Sequence, residues 1–410
     1  MFNTSADFLA TVRYVCRWLA LSALLGALAG SASALFLIAL DWATGTRVAH
    51  PWLLWGLPAA GFATGWIYHR FGQSVARGNN LLIDEIHDPK ALVPKRMAPL
   101  VLVATVVTHL FGGSAGREGT AVQMGGALAD RVTHALRLDR EHRRVLLMAG
   151  IAAGFASVFG TPLAGAVFGL EVLAIGRVRY DALLACVASA IVADVVCRLW
   201  GVHHTAYAIP FVPPVSAAGL GATVVAGIAF GVVGRLFAHA THALSALFRR
   251  RIRYAPLQPV VGGLLVAVAA SALNVPQYLG LGIPTIEAAF HGPLPVYDFA
   301  GKFAFTVVTL ASGFKGGEVT PLFYIGATLG NALGQVLALP VLAGLGFVAV
   351  FAGAANTPVA STIMAIELFG ADIGVYAIVA CVVAYLFSGH AGIYRAQRVA
   401  VEKGVHGPGE

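Results

Sequence analysis

The sequence predicts an all-α, polytopic membrane protein with an internal repeat and helices broken inside the bilayer. Three observations carry this expectation. Of the 410 residues, 58% are hydrophobic and only 11% are charged, whereas a soluble domain carries about 25% charged residues. Mean hydropathy is +0.79. Apolar runs longer than strands, without two-residue alternation, follow one another along the chain. The second half also repeats motifs of the first. This composition excludes a soluble globular enzyme, a disordered regulator and a coiled coil. The 48 glycines follow no G-X-Y period; in membranes glycine lets helices approach closely or break.

Each apolar run is read as a helix. The runs 18–45 and 51–69 come first, followed by the basic residues Arg70, Arg77, Lys90, Lys95 and Arg96. The runs 97–111 and 119–130 precede Arg131, Arg137, Arg140, Arg143 and Arg144. The runs 145–159 and 162–175 precede Arg177 and Arg179, and 183–200 leads into 201–214, which has no Lys or Arg. The run 215–248 ends at Arg249, Arg250, Arg251 and Arg253. The runs 256–274, 297–312, 320–335, 340–353, 358–370 and 372–388 complete the series. A hydrocarbon core of about 30 Å needs about 20 helical residues. The runs 119–130 and 162–175 fall well short and are bounded by Gly-rich or Thr-Pro breaks. Helix ends inside a membrane survive only when buried in protein or lining a cavity.

Every second loop is basic, which is the positive-inside pattern with a cytoplasmic N-terminus. It accounts for the net charge of +8 without a nucleic-acid partner. Cys16, Cys186, Cys197 and Cys381 lie in apolar stretches without metal-ligand spacing. They read as small buried hydrophobes, so neither disulfides nor a metal site nor a cofactor is expected. The N-terminus lacks a short apolar stretch followed by a small-residue cleavage site, and no cleavable signal is expected.

The internal repeat is the most informative feature. GREGT at 116–120 matches GGEVT at 316–320, and each is followed by a helix carrying glycines, Gly125 and Gly126 in one and Gly326 and Gly330 in the other. Thr161-Pro162 matches Thr357-Pro358, and in both copies a glutamate, Glu171 or Glu367, follows the proline by nine residues. A weaker pair is RGNNLLIDEI at 77–86 and LGLGIPTIEA at 279–288. The three pairs keep their order. Repeats with interrupted helices mark secondary transporters, whose substrate binds at the repeat interface.

A helix that begins inside the membrane presents free backbone N–H groups and a partial positive charge, an anion site built without a fixed cation. Three such starts are visible, at Gly78-Asn79-Asn80, at Gly116-Arg117-Glu118-Gly119-Thr120 and at Gly316 to Pro321. Glycine lets the backbone approach an ion, which makes Gly116 and Gly119 candidates, and Pro321 suits a first helical turn. Glu118 and Glu318 stand at two of these starts. An ionisable group inside a membrane is a functional candidate by default. A glutamate there competes with the anion when charged and carries a proton when it vacates the site. Glu118 therefore reads as a gate that couples anion and proton. Glu318 reads equally as a gate or a loop-stabilising group, and Arg117 as a structural or vestibule charge.

GREGT followed by AVQMGG, then GTPLAG…GLE, GGEVTP and GIYRAQ resemble the CLC chloride-channel and anion-transporter family over about residues 20–398. The resemblance implies a homodimer with one anion pathway per subunit and two inverted repeats in each. The repeats are placed at 1–205 and 206–398, with a short cytoplasmic tail at 399–410. It implies that Glu118 is the external gate, that Tyr394 lines the central anion site, and that the amides of Val319 and Thr320 face the ion. Chloride-selective members of the family carry a serine where this chain has Asn79, a proline where it has Thr120, and GxFxP where it has Glu318-Val319-Thr320-Pro321. These departures resemble the fluoride–proton antiporter branch. Where many chloride–proton exchangers carry an internal glutamate, this chain has Val172, which leaves Glu318 as the candidate proton-pathway residue. An Asn79 amide offers two N–H donors to a small, strongly hydrated ion.

The expected function is secondary active export of fluoride in exchange for protons across the cell membrane. The expected partners are fluoride or chloride, protons, the bilayer and a second copy of the chain. The alternative is a chloride-selective channel or chloride–proton exchanger. A third class, an intramembrane hydrolase using Ser114 of GGSAG, needs a strand before the serine, and an apolar helix precedes it instead. His239 and His242 lack a third metal ligand and read as a packed helix face. Asp194, inside an apolar run, reads as satisfied by a helix–helix hydrogen bond.

Overall fold

The computed structural model describes residues 5–404 and is almost entirely helical. In chain order the helices are α1 (Ser5–Ala49), α2 (Leu57–Phe71), α3 (Asn79–His87), α4 (Met97–Leu110), α5 (Glu118–Ala135), α6 (Arg140–Phe159), α7 (Pro162–Glu171) and α8 (Leu183–Leu199). Then follow α9 (Ala217–Arg251), α10 (Leu257–Leu273), α11 (Ile283–His291), α12 (Asp298–Ala311), α13 (Val319–Leu337), α14 (Leu342–Ala355), α15 (Pro358–Phe369) and α16 (Gly374–Phe387). The two-residue strands β1 (Ala174–Ile175) and β2 (Arg398–Val399) pair in parallel and tie the chain's end to the exit of α7. The start of the first repeat at residues 1–4, and residues 405–410 of the 399–410 tail, lie outside the described residues.

Several expected bounds change. The run 162–175 ends as a helix at Glu171 and continues as β1. The run 119–130 extends to Ala135, because Asp130 and Arg131 ride on the helix. Pro51–Gly56 forms a tight 3-10 turn before α2. Two nine-residue helices, α3 and α11, form no apolar run of their own; the start of α3 was expected at Gly78-Asn79-Asn80, and α11 was visible only in the weakest repeat pair. Cys16 is exposed, unlike the other three cysteines, because it sits on the outward face of α1. Asp194 pairs with Arg198 one turn along its own helix (Nε to Oδ1 3.2 Å), so its partner is not on another helix.

Among the described residues, Asp7–Ala49, Tyr180–Leu199 and Ala217–Arg251 are long and apolar enough to cross a membrane. The remaining apolar helices are shorter, as broken spans require. The centre is built from α6 and α14. All 14 residues of α14 are buried, which explains a helix hydrophobic on every side. Gly125 of α5 lies against the backbone of Gly150 on α6, and Gly326 of α13 lies against that of Gly346 on α14; a Cβ at either site would strike the opposing carbonyl. The same small-residue contact thus joins both helix pairs, the packing that membranes favour where helices cross closely.

Candidate functional site

The site lies where the breaks before α5 and α13 meet. Gly116 donates its N–H to the carbonyl of Gly317 (2.6 Å), and Gly317 donates its own back to Gly116 (2.7 Å). This two-bond antiparallel splice joins the matched motifs face to face. It corrects the expectation for Gly116: its N–H is committed to Gly317 and cannot also face an anion. Gly119 stands on the other side of the splice, where the Cα of Gly317 lies 3.2 Å from the Cβ that Gly119 lacks.

The splice places the side chain of Glu118 at the N-terminus of α13. Its carboxylate is fully buried. Thr320 donates its N–H to Oε2 (3.1 Å) and its hydroxyl to both oxygens (2.6 and 2.7 Å). Arg117 adds its N–H to Oε2 (3.2 Å), and its Nε lies 3.6 Å from Oε1. Arg117 is therefore buried beside the carboxylate, not placed in an outer vestibule. The negative group occupies the position that the helix start offers to an anion. Thr120 contributes both its hydroxyl and its N–H. Its hydroxyl pairs with that of Thr105 (2.7 Å) and its N–H reaches the carbonyl of Arg117 (3.1 Å), which a proline could not supply.

Asn79 begins α3, and Gly78 before it turns with φ +55°. A Cβ on Gly119 would stand 3.3 Å from Asn79 Nδ2, so this amide reaches the α5 break. Its Oδ1 is buried without a hydrogen-bond partner. Tyr394 is buried, with its ring edge-on to Phe168 at 6.3 Å. Asn79 and Tyr394 share a void of about 10 Å³ whose other walls, Ile83, Val122, Ile151, Phe168 and Val172, are apolar. That is room for one water-sized particle.

The void adjoins a larger cavity of about 550 Å³, lined among others by Asn79, Gln123, His242, Lys315, Glu318 and Tyr394. Glu318 is half-buried on this wall, and its Oε2 lies 3.8 Å from the position of the missing Gly119 Cβ. The structure thus brings Glu118, Glu318, Asn79, Gly119, Val319, Thr320 and Tyr394 into one neighbourhood. Sequence reasoning missed Thr320 as the hydroxyl partner of Glu118, and His242, Lys315 and Arg395 as cavity residues. The position of Arg395 beside Tyr394 in GIYRAQ was the available signal. Ser114 hydrogen-bonds through its hydroxyl to Thr306 (2.9 Å) and through its N–H to Thr309 (3.2 Å), which ties the loop before α5 to α12.

Broken helices whose ends and carboxylates converge on a buried polar void define a polytopic membrane protein of the transporter kind. Residues 60–389 match the family described as voltage gated chloride channel, and the chain belongs to that family, the CLC proteins. A relative in Pseudomonas syringae pv. tomato, a chloride/fluoride channel protein, is 63% identical over 398 residues, covering 95% of this chain and 88% of the relative. The H(+)/Cl(-) exchange transporter ClcA of Vibrio vulnificus is 29% identical over 389 residues, covering 85% of this chain and 81% of its own. A solved CLC-type fluoride/proton antiporter superposes with a TM-score of 0.91 at 34% identity, over 97% of this chain and all (100%) of the other. A slow cyanobacterial Cl-/H+ antiporter shares the fold, with a TM-score of 0.82 at 21% identity over 92% and 96% of the two chains.

Proposed function

We propose that this protein exports fluoride from the cell in exchange for protons. One observation carries the reading: the Glu118 carboxylate sits on the N-terminus of α13, held by the N–H and hydroxyl of Thr320. A carboxylate and an anion compete for those donors. Protonation removes the charge that holds Glu118 there, so the side chain leaves with a proton while an anion takes its place. Val319 and Thr320 then serve the ion with backbone N–H groups, and Asn79 and Tyr394 complete its shell from the opposite side. Gly119 keeps the approach open. Glu318, on the wall of the larger cavity, takes the second proton-handling role that Val172 cannot. The 63% identical chloride/fluoride channel protein and the fluoride/proton antiporter with TM-score 0.91 support this choice of ion.

The alternative, chloride–proton exchange, draws on the 29% identical H(+)/Cl(-) exchange transporter. Flux from proteoliposomes loaded with fluoride or with chloride, with external pH recorded, separates the two. Fluoride efflux accompanied by proton uptake is expected. Equal or faster chloride flux would favour the alternative.

The assembly belongs to the same reading. Two inverted repeats, 1–205 and 206–398, meet at the Gly116–Gly317 splice, and two copies of the chain associate in the plasma membrane. The basic loops support a cytoplasmic N-terminus. The exposed apolar side chains along α1, α9 and α10 suit a lipid surround.

A further inference from the structure

The segment that carries Tyr394 has no helix or sheet of its own to hold it. It is pinned at discrete points: Ile393 donates its N–H to Ala354 (2.8 Å), Ala396 to Asn80 Oδ1 (2.9 Å), and Gln397 donates its side-chain amide to the carbonyls of Val172 (2.9 Å) and Ala355 (2.8 Å). Asn356 adds its side-chain amide to Gln397 Oε1 (2.9 Å), and a further pin is a side chain that no part of the transport cycle uses. His242, on α9, is within hydrogen-bond distance of the Gly392 carbonyl through Nε2 (3.0 Å) and of Arg395 Nε through Nδ1 (3.1 Å). These two contacts bracket Ile393 and Tyr394.

The chemistry fixes the ring's state. A carbonyl can only accept, so Nε2 carries the proton. A guanidinium can only donate, so Nδ1 carries the lone pair. Both contacts are satisfied by one neutral tautomer and by no other form. A second proton, on Nδ1, removes the acceptor and sets an imidazolium against the Arg395 guanidinium. The other charged groups around the ring are His239 and Arg249 on the same helix. Arg77, Asp84, Lys315 and Glu318 face it across the cavity. The cavity gives protons from solution access to the ring.

We propose that His242 is a positioning residue for the anion site: in its neutral form it clamps Gly392 and Arg395 and so holds the Tyr394 hydroxyl in the pathway, and on protonation it lets that segment go. This rests on the reading of Tyr394 as an anion ligand.

The test measures fluoride efflux from proteoliposomes of the full chain against fluoride concentration, between about pH 5 and pH 8. It compares wild type, His242→Ala, His242→Gln and Tyr394→Phe. Glutamine offers one N–H donor and one acceptor at every pH. At neutral pH, His242→Ala should raise KM roughly fivefold to tenfold, the loss of one or two ordinary hydrogen bonds, with kcat nearly unchanged. His242→Gln should restore KM to within about twofold of wild type. Toward the acid end of this range, where the Nδ1 lone pair is lost to a second proton, wild-type KM should rise relative to that of His242→Gln. If Tyr394→Phe raises KM while His242→Ala does not, the clamp is wrong and the anion-ligand reading stands. If Tyr394→Phe leaves KM unchanged, the reading fails and takes the clamp with it. Parallel pH profiles for wild type and His242→Gln would refute the protonation step, and they decide that point even if the alanine variant does not fold.

Discussion

Glu171 and Glu367 cap each other's helices. The Glu171 carboxylate, at the end of α7, accepts the N–H groups of Val359 (3.0 Å) and Ala360 (2.8 Å) at the start of α15. The Glu367 carboxylate, near the end of α15, accepts those of Leu163 (2.9 Å) and Ala164 (2.7 Å) at the start of α7. Each helix begins with a proline, which has no N–H to lose, and each ends by satisfying the donors of its partner. Helix ends buried in a membrane protein need such partners because no water reaches them. The reciprocity ties the matched Thr-Pro motifs together in space, as the splice ties GREGT to GGEVT.

Removing either cap should destabilise the fold. Glu171→Ala and Glu367→Ala should each cost about 2 kcal/mol, at the upper end for a lost N-cap. Glu171 is the more deeply buried, at 6% exposure, and should be the more sensitive site. Thermal unfolding of the detergent-solubilised protein reads both. Midpoints equal to wild type for both variants would mean that the caps carry no energy.

Glu118→Gln should abolish proton coupling. The amide keeps one acceptor oxygen for the Thr320 hydroxyl, so the site can assemble, but it cannot take up or release a proton. Fluoride movement, where it persists, should become independent of the proton gradient. The check is proton pumping driven by a fluoride gradient in sealed vesicles; uphill pumping by the variant would remove Glu118 from the coupling role.

Much of this site was legible in the sequence, and the division has a physical cause. Helix starts are written locally: glycine and a carboxylate side by side mark GREGT and GGEVT, the second with Pro321 directly after it, without any knowledge of the fold. The nine-residue interval from Pro162 to Glu171 and from Pro358 to Glu367 was equally visible. What those glutamates hold was not, because their partners lie 188 to 204 residues away in the chain. The same applies to Thr320 and Glu118, 202 residues apart, and to Gly116, whose N–H is spent on Gly317. A motif specifies which groups are available; only the topology decides which of them meet. The short helices α3 and α11 escaped the hydropathy reading because nine residues are too few to form an apolar run.

Asn79→Ala should weaken fluoride binding. The amide shares its small void with Tyr394, and the other walls are apolar, so a lost donor has no nearby replacement. A hydrogen bond to a charged group contributes about 1.5–3 kcal/mol, roughly a tenfold to hundredfold change in affinity. Calorimetric titration of the purified protein with fluoride and with chloride measures both affinity and preference. Unchanged values for both ions would exclude Asn79 from the anion's shell.

Glu318→Gln should slow coupled transport while leaving the fold intact. The residue stands at the start of α13 in the position that Glu118 holds at the start of α5, yet its surroundings differ. Glu118 is fully buried and gripped by Thr320, whereas Glu318 is half-buried on the wall of a cavity of about 550 Å³ that it shares with Lys315. A proton crossing the membrane needs groups that titrate, or water, along its way. Val172 is apolar and buried, so it supplies no titrating group beside Glu171. A carboxylate with access to the cavity can exchange protons with that side and stands beside the Gly119 break that leads to Glu118. If Glu318 only steadied its own loop, glutamine would keep one acceptor oxygen and transport would run nearly as in wild type. Fluoride-driven proton uptake, measured for the two proteins at several pH values, distinguishes these cases. A reduced rate with a flattened pH dependence is expected for the variant, and equal rates with equal pH dependence would leave Glu118 as the sole coupling carboxylate.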